Sequence, residues 1–343
     1  MKPQRIDAID LVRGALMILI VGAHATLVIE PGHTTLLHAT RYLLSGTVGF
    51  TTVSGILVGW FAVVKRDRYE RVTRRYLVQA ARLLLIAHPL MSIALFIPND
   101  APLTDYALRT LFITDTLALL FIVVVPIIPT IKPRVRLVAG ILIIAIDAVL
   151  DLYEAPGPAT RLVRELLCGV DPLQQHVLLS DYGVLPLGGM FLIGSVIGGW
   201  FAETDAETFV RRATKLAAWM VGLGAAMVAL WRVAHLTHHP ELARFLYPDY
   251  ETTLYPVYLA GTLVMFTIAL RIRPLELVAL LGRTSLFVYV AQYFLVETGP
   301  TLLGWKGALP PIGWLIVWFG STAMLVPAAS AWSRWRARVR ASS

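Results

Sequence analysis

Three ionisable residues stand in the first apolar stretch of the chain, residues 7–30, which is long enough to cross a bilayer. Placing an ionisable side chain inside a bilayer costs free energy, so Asp10, Arg13 and His24 are functional candidates by default. Arg13 and His24 are eleven residues apart, which is about three helical turns and roughly 16 Å of rise, so both lie on nearly the same helix face. Because an imidazole can take up a proton at neutral pH, His24 is a candidate general base.

A purely structural reading of these residues is open at this point. Asp10 and Arg13 stand at i,i+3, where opposite charges can pair, and Arg13 can extend its charged end toward the interface. His24 would then be an ordinary residue near the opposite surface. The presence of Arg13 and His24 on one face favours function over this reading.

The composition indicates a polytopic membrane protein. The 343 residues are 57% hydrophobic and only 15% charged, with a mean hydropathy of +0.69, which is more apolar side chain than a soluble domain can bury. The net charge of +8 fits an excess of Lys and Arg on the cytoplasmic side of a membrane, so no nucleic-acid partner is expected. The single cysteine, Cys168, excludes an intramolecular disulfide and a CxxC metal site.

Hydrophobic segments predict an all-α bundle of about ten membrane spans in one domain, residues 1–343, with membrane lipids around it. Most of the 30 Lys and Arg residues fall on one side of these spans, so both termini are predicted to be cytoplasmic. The expected location is the cell (inner or plasma) membrane. The predicted spans are 8–29, 42–64, 77–97, 108–129, 135–153, 184–202, 212–233, 252–270, 284–303 and 310–332.

Further acidic residues lie in or near the spans. Asp115 and Asp147 fall toward the extracytoplasmic half of their spans, as His24 does, so one of them is a candidate carboxylate partner for His24. The structural alternative is an interfacial cap, or a pair of Asp147 with Asp151 at i,i+4.

Most histidines outside the first span fall in predicted external loops. A zinc site built from HxxHH is conceivable, but loops carry His for many reasons and cysteine ligands are absent, so no metal is expected. These residues are His33, His38, His176, His235, His238 and His239.

The opening RIDAIDLVRGALMILIVGAH, with Asp10, Arg13-Gly14 and His24, resembles the transmembrane acyltransferase superfamily. This group includes acyltransferase-3 proteins, OpgC-type succinyltransferases and heparan-glucosaminide acetyltransferase relatives. Four further elements carry the resemblance as far as the ninth span. The family often has His at the end of the last element, where this chain has Gln292. The four elements are FTTVSGILVGWF (50–61), RRYLVQAARLLLIAHPL (74–90), LPLGGMFLIGSVIGGWF (185–201) and LGRTSLFVYVAQYF (281–294).

The resemblance implies transfer of an acyl group from cytoplasmic acyl-coenzyme A to an extracytoplasmic acceptor, a hydroxyl or amine of a carbohydrate or glycolipid. Acyl-coenzyme A would be a donor substrate, with no resident cofactor. His24 would be the base or would carry the acyl group itself, with Asp10 and Arg13 beside it. Donor contacts would come from Arg13, Arg74, Arg75, Arg82 and Ser54, although a basic cytoplasmic segment also arises from topology alone.

Two other functions fit the same residues. A proton-coupled transporter would use the intramembrane Asp, Arg and His as a relay, but no inverted repeat or pair of broken spans is evident in the sequence. A catalytically idle membrane partner of other envelope enzymes is the third reading. Acyl-coenzyme A turnover by purified protein separates the first reading from the other two.

Overall fold

The computed structural model describes residues 3–30, 46–99, 102–150, 156–169, 177–178, 183–237 and 254–341. Within these ranges the secondary structure is helical, apart from an isolated parallel bridge between Ile29 and Leu309. The all-α prediction is confirmed for this part of the chain, as expected where lipid offers the backbone no hydrogen-bond partner. Several predicted features lie outside the described residues, namely Asp151, His33, His38, His176, His238 and His239.

The helices are labelled α1 to α15 in chain order. Short 3₁₀ or π segments continue some of them, at Thr26–Val28, Arg66–Arg68, Leu83–Ala87, Val125–Thr130 and Tyr293–Thr298. The helices are α1 Pro3–Ala25, α2 Gly46–Val64, α3 Tyr69–Arg82, α4 His88–Phe96, α5 Leu103–Arg109, α6 Ile113–Val123, α7 Pro133–Leu150, α8 Pro158–Cys168, α9 Val184–Glu203, α10 Ala206–Leu236, α11 Tyr255–Ala269, α12 Glu276–Arg283, α13 Ser285–Gln292, α14 Gly299–Leu302 and α15 Pro311–Ala341.

Seven helices in the described part are long and apolar enough to cross a membrane. An eighth candidate is the pair Glu276–Arg283 and Ser285–Leu302, which is bent by 84°. A helix also occupies the other two predicted places, but α7 carries three charged residues and α11 has only 15 residues. The membrane character is therefore supported, while the number of ten spans and the cytoplasmic termini stay predictions.

The chain forms two compact units, each assembled from separate segments. Unit 1 comprises Met1–Phe50, Pro89–Tyr106 and Ile268–Ser343, and unit 2 comprises Thr51–His88 and Ala107–Thr267. Whether they act as the predicted single domain stays a prediction, and each unit is described by itself.

Unit 1 is organised around α1, which packs against α12, α13 and α15. Two tryptophans of α15 fix its position on α1, since each indole N–H donates to an α1 carbonyl. Trp314 Nε1 donates to Gly22 O at 2.9 Å, and Trp318 Nε1 donates to Ile18 O at 2.8 Å. Buried indole N–H groups need such partners, so these bonds fix the depth of α15 along α1.

Unit 2 contains a glycine-rich contact between α2 and α9. A Cβ on Gly55 would meet the Phe191 carbonyl, and a Cβ on Gly198 would meet the Ile56 carbonyl. The glycines at 55, 59, 194 and 198 therefore let α2 and α9 approach at backbone distance. The α9 helix also packs on α7, where the buried Arg136 donates to Ser195 Oγ at 3.0 Å.

The basic segment 65–75 falls between the predicted spans 42–64 and 77–97, where a loop is expected, but most of it is helical. Tyr69 opens α3, and its hydroxyl donates to the Val125 carbonyl at 3.0 Å. Tyr69 and Val72 are buried while Arg71, Arg74 and Arg75 are exposed. Apolar residues at helical spacing give this segment a face to bury, which a run of charges obscures when it is read as a loop.

Candidate active site

The Arg-Gly pair of α1 is explained by a backbone contact with α12. A Cβ on Gly14 would overlap the Val278 carbonyl, and a Cβ on Gly282 would overlap the Asp10 carbonyl. Each glycine therefore lets the other helix approach at backbone distance, as small residues do in membrane bundles. This contact places Arg13, the neighbour of Gly14, beside the start of α13.

Arg13 is held by groups from two other segments of unit 1. Its Nη2 donates to Ser285 Oγ at 2.5 Å, and its guanidinium carbon lies 5.5 Å from the centre of the Phe50 ring. That distance is within the range of a cation–π contact. Ser285 is the first residue of α13, directly after the 84° bend, so the bend brings its hydroxyl to Arg13.

Asp10 lies one turn before Arg13 on α1. Its carboxylate interacts electrostatically with the guanidinium groups of Arg13 and Arg283. The attraction of these two cations offsets part of the cost of placing a half-buried carboxylate in an apolar helix. This explains a structural role for Asp10, while its assignment to catalysis stays a prediction.

His24 contacts a carboxylate that is distant in sequence. Its Nδ1 lies 2.8 Å from Oε1 of Glu297, and the two side chains are 17% and 24% exposed. Glu297 belongs to the π segment Tyr293–Thr298, and the ring of Tyr293 lies 4.9 Å from that of His24, centre to centre. Such π segments occur frequently at functional sites.

The His24–Glu297 contact determines what the imidazole can do. When Nδ1–H donates to the carboxylate, Nε2 carries the lone pair and can accept a proton. The carboxylate also stabilises the imidazolium that forms, as in hydrolytic triads. This geometry offers a partly exposed base whose second ring nitrogen is oriented by a carboxylate.

The prediction that Asp115 or Asp147 orients His24 is wrong, because Glu297 is the carboxylate in contact with it. Asp115 instead lies in unit 2 with its Oδ2 at 2.8 Å from Nδ1 of His88. Nε2 of His88 lies 2.9 Å from the Ala107 carbonyl, so both ring nitrogens are engaged. Asp147 is buried in α7. The position of each residue along its span indicated its depth in the membrane, but it did not indicate which helix packs beside α1.

The other predicted donor residues lie in unit 2. Arg74, Arg75 and Arg82 are exposed on α3, and Ser54 is buried in α2. The exposure of the three arginines suits contact with an anion but equally suits water or lipid headgroups. A donor-binding role for these four residues stays a prediction.

No group of three or more His, Cys, Asp or Glu side chains in the described ranges could hold a metal ion. Of the predicted external histidines, His235 is described, and its ring stacks on Trp231 at 6.0 Å. The absence of a metal at the remaining histidines stays an expectation.

Sequence reasoning missed Glu297, Ser285, Tyr293 and His88. The rule that selected His24 also applies to Glu297 and His88, since both are ionisable residues inside predicted spans, 284–303 and 77–97. Ser285 and Tyr293 carry no such signal, because hydroxyl and aromatic side chains are common in membrane helices.

A family model described as an acyltransferase domain matches residues 6–332, nearly the whole chain. The comparison with curated proteins finds no match. The family match covers Asp10, Arg13, His24, Ser285 and Glu297 together.

Proposed function

Because the chain belongs to the acyltransferase-3 family of membrane acyltransferases, we propose that it transfers an acyl group from cytoplasmic acyl-coenzyme A to an extracytoplasmic acceptor. The acceptor is a hydroxyl or amine of a carbohydrate or glycolipid, and the location is the cell membrane. The observation that carries this proposal is the 2.8 Å contact between His24 Nδ1 and Glu297 Oε1.

In the proposed reaction, His24 Nε2 removes the proton from the acceptor hydroxyl or amine. The acceptor oxygen or nitrogen attacks the thioester carbonyl and forms a bond to its carbon. The carbon–sulfur bond then breaks, and the leaving thiolate of coenzyme A takes up the proton from His24. Glu297 stabilises the transient imidazolium, as the carboxylate does in a hydrolytic triad.

The same nitrogen can instead attack the thioester carbon, which breaks the carbon–sulfur bond, releases coenzyme A as the thiolate and leaves an acyl-imidazole. The acceptor oxygen or nitrogen then attacks the acyl carbon, the carbon–imidazole bond breaks, and the acceptor's proton neutralises the released thiolate. Incubation of the protein with radiolabelled acetyl-coenzyme A in the absence of acceptor separates the two routes. Label retained on the protein and lost on addition of acceptor identifies the covalent route, whereas label that is never retained identifies general-base catalysis.

Arg13 is proposed to bind the donor through charge-assisted hydrogen bonds. Its planar guanidinium presents donor hydrogens in a fork that suits the oxygens of a phosphate or carbonyl group. The Ser285 and Phe50 contacts hold its long side chain, which lowers the entropy that binding would cost. Three exposed cations of α3 are proposed to receive the donor's phosphates, namely Arg74, Arg75 and Arg82.

The test is release of coenzyme A thiol by detergent-purified protein. Acetyl-coenzyme A and succinyl-coenzyme A serve as donors, and a panel of alkyl glycosides and amino sugars serves as acceptors. We expect thiol release that rises with one class of acceptor. A monodisperse protein that releases no thiol with any donor and acceptor contradicts the proposal.

A further inference from the structure

Gln292, the last residue of α13, carries a buried amide whose polar atoms lack hydrogen-bond partners among the described residues. It is 1% exposed, and neither its carbonyl oxygen nor its amide nitrogen has a hydrogen-bond partner in the described part of the chain. Burial of an amide without hydrogen bonds costs free energy, so nearly all such groups in proteins are paired. A group of this kind in a native structure calls for a ligand or another explanation.

The polar side chains around Gln292 do have partners within the protein. Thr298 Oγ1 donates to the Ala94 carbonyl at 2.6 Å, and the hydroxyls of Tyr289 and Tyr293 lie 3.4 Å apart. The hydroxyls of these neighbours therefore have partners within the protein. Gln292, which offers both a donor and an acceptor, differs from these neighbours.

The position of Gln292 relates it to the candidate active site. It follows Ser285 by seven residues, so the two lie within about 20° of one face of α13. Ser285 bonds Arg13 of α1, and that face therefore meets α1. Gln292 is about 10 Å along the helix from Ser285, and Tyr293, the next residue, contacts the His24 ring.

These distances place Gln292 between the levels of Arg13 and His24, which are themselves roughly 16 Å apart along α1. A thioester donor bound by Arg13 and cleaved beside His24 would extend along the same interval. The arm of coenzyme A that connects its pyrophosphate to its thioester carries secondary amides, each with one N–H and one C=O. That pair of groups complements the amide of Gln292.

We infer that Gln292 binds an amide of the donor's arm and so selects a pantetheine thioester over other activated acyl groups. This inference rests on the proposed function. An acceptor sugar also offers hydroxyl donors and acceptors. The level of Gln292, on the Arg13 side of His24 and not beyond it, favours the donor over an acceptor that approaches from the opposite end.

The test compares Gln292→Met with wild type. Methionine has a similar volume and no amide, and Gln79→Met on α3 is the matched control. We expect the unliganded variant to melt no lower than wild type, because no protein hydrogen bond is lost. We expect coenzyme A to bind about tenfold more weakly, while adenosine 3′,5′-bisphosphate, which lacks the arm, binds equally to both proteins.

Any of three results for Gln292→Met overturns the inference, provided that wild type transfers acyl groups. The affinity for coenzyme A is unchanged, the affinity for adenosine 3′,5′-bisphosphate falls by the same factor as that for coenzyme A, or only the KM for the acceptor rises. A lower melting temperature without ligand also overturns it, since it assigns the amide a structural role. If Gln292→Met is not monodisperse, Gln292→Glu retains the shape without the N–H donors. It is held to the three binding and KM outcomes only, because a buried carboxyl lowers the melting temperature by itself.

The inference and the proposed function fail in different ways. A folded wild-type protein that neither binds coenzyme A nor releases thiol contradicts the proposed function, and the inference with it. A wild-type protein that transfers acyl groups, with a Gln292→Met variant indistinguishable from it, contradicts the inference alone.

Discussion

The imidazole of His24 and the carboxylate of Glu297 meet at 2.8 Å although they are 273 residues apart in the chain. His24 belongs to α1, and Glu297 belongs to the π segment that follows α13. Tyr293 opens that π segment, and its ring packs against the imidazole of His24. The proposed base and the carboxylate in contact with it are thus supplied by two different helical segments of unit 1.

Replacement of Glu297 by Gln should slow transfer without abolishing it. The amide oxygen can still accept from Nδ1–H, so the tautomer is kept, but the negative charge that stabilises the imidazolium is lost. The corresponding Asp→Asn change in a hydrolytic triad costs about 10⁴-fold, because it also imposes the wrong imidazole tautomer. Since the tautomer is kept here and Glu297 is partly exposed, we expect a smaller loss, on the order of 10²-fold in kcat.

Glu276→Gln is the matched control for this measurement. Glu276 is exposed and pairs with Arg283 at 3.3 Å, and surface ion pairs contribute little. We expect wild-type kcat for this variant. A Glu297→Gln protein that retains wild-type kcat would show that the carboxylate has no part in the reaction.

Gly14→Ala should destabilise the protein through the contact between α1 and α12. The new methyl group meets the Val278 carbonyl, which is backbone and cannot rotate away. We expect a loss of about 1–3 kcal/mol, measured as a lower melting temperature in detergent, together with weaker donor binding because Arg13 is displaced.

Gly320→Ala on α15 is the comparison for Gly14→Ala. A Cβ there meets nothing within 4 Å, and alanine is favoured over glycine in a helix by roughly 0.5–1 kcal/mol. The melting temperature should stay level or rise. Equal stability of Gly14→Ala and Gly320→Ala would contradict the close contact between the helices.

Arg13→Ala should weaken acyl-coenzyme A binding more than acceptor binding. The guanidinium is held by Ser285 and Phe50 at a level about three turns from His24. Ser285→Ala should give a milder version of the same defect, since Arg13 keeps its charge but loses one contact. Unchanged donor affinity in a monodisperse Arg13→Ala protein would exclude this role. Arg334→Ala, at an exposed position near the end of α15, serves as the control.

Membrane orientation can be measured with single cysteines. The chain contains one cysteine, Cys168, so Cys168→Ser provides a background for Thr35→Cys and Ser343→Cys. The distribution of Lys and Arg predicts that an impermeant reagent on intact cells labels position 35 and leaves position 343 unlabelled. Labelling at position 343 would reverse the predicted orientation.

The sequence predicted those parts of the site that lie within one helix. The spacing of Arg13, Gly14 and His24 fixes their relative positions on α1, because helix geometry is constant over eleven residues. The partners of these residues were not predicted, since Ser285 and Glu297 meet α1 only after the chain has passed through most of its other helices. A single sequence contains no signal for such distant pairs.

Local deviations from regular structure were also beyond prediction. The helix is interrupted at the 84° bend at 283–285 and again at the π segment that holds Glu297. Because apolar residues continue through both points, the sequence pattern did not reveal either interruption. Gln292 was noted for its residue type alone. Its significance depends on burial and missing partners, which are properties of the fold and not of the sequence.

The most direct test of the proposed mechanism is the rate of acceptor-dependent thiol release by His24→Ala. We expect a loss on the order of 10²-fold or more, with coenzyme A affinity largely retained, because His24 is assigned to proton transfer and not to donor binding. His24→Gln should do no better, and His235→Ala should act as wild type. A folded His24→Ala protein that transfers acyl groups at the wild-type rate would contradict the assignment of His24 as the base.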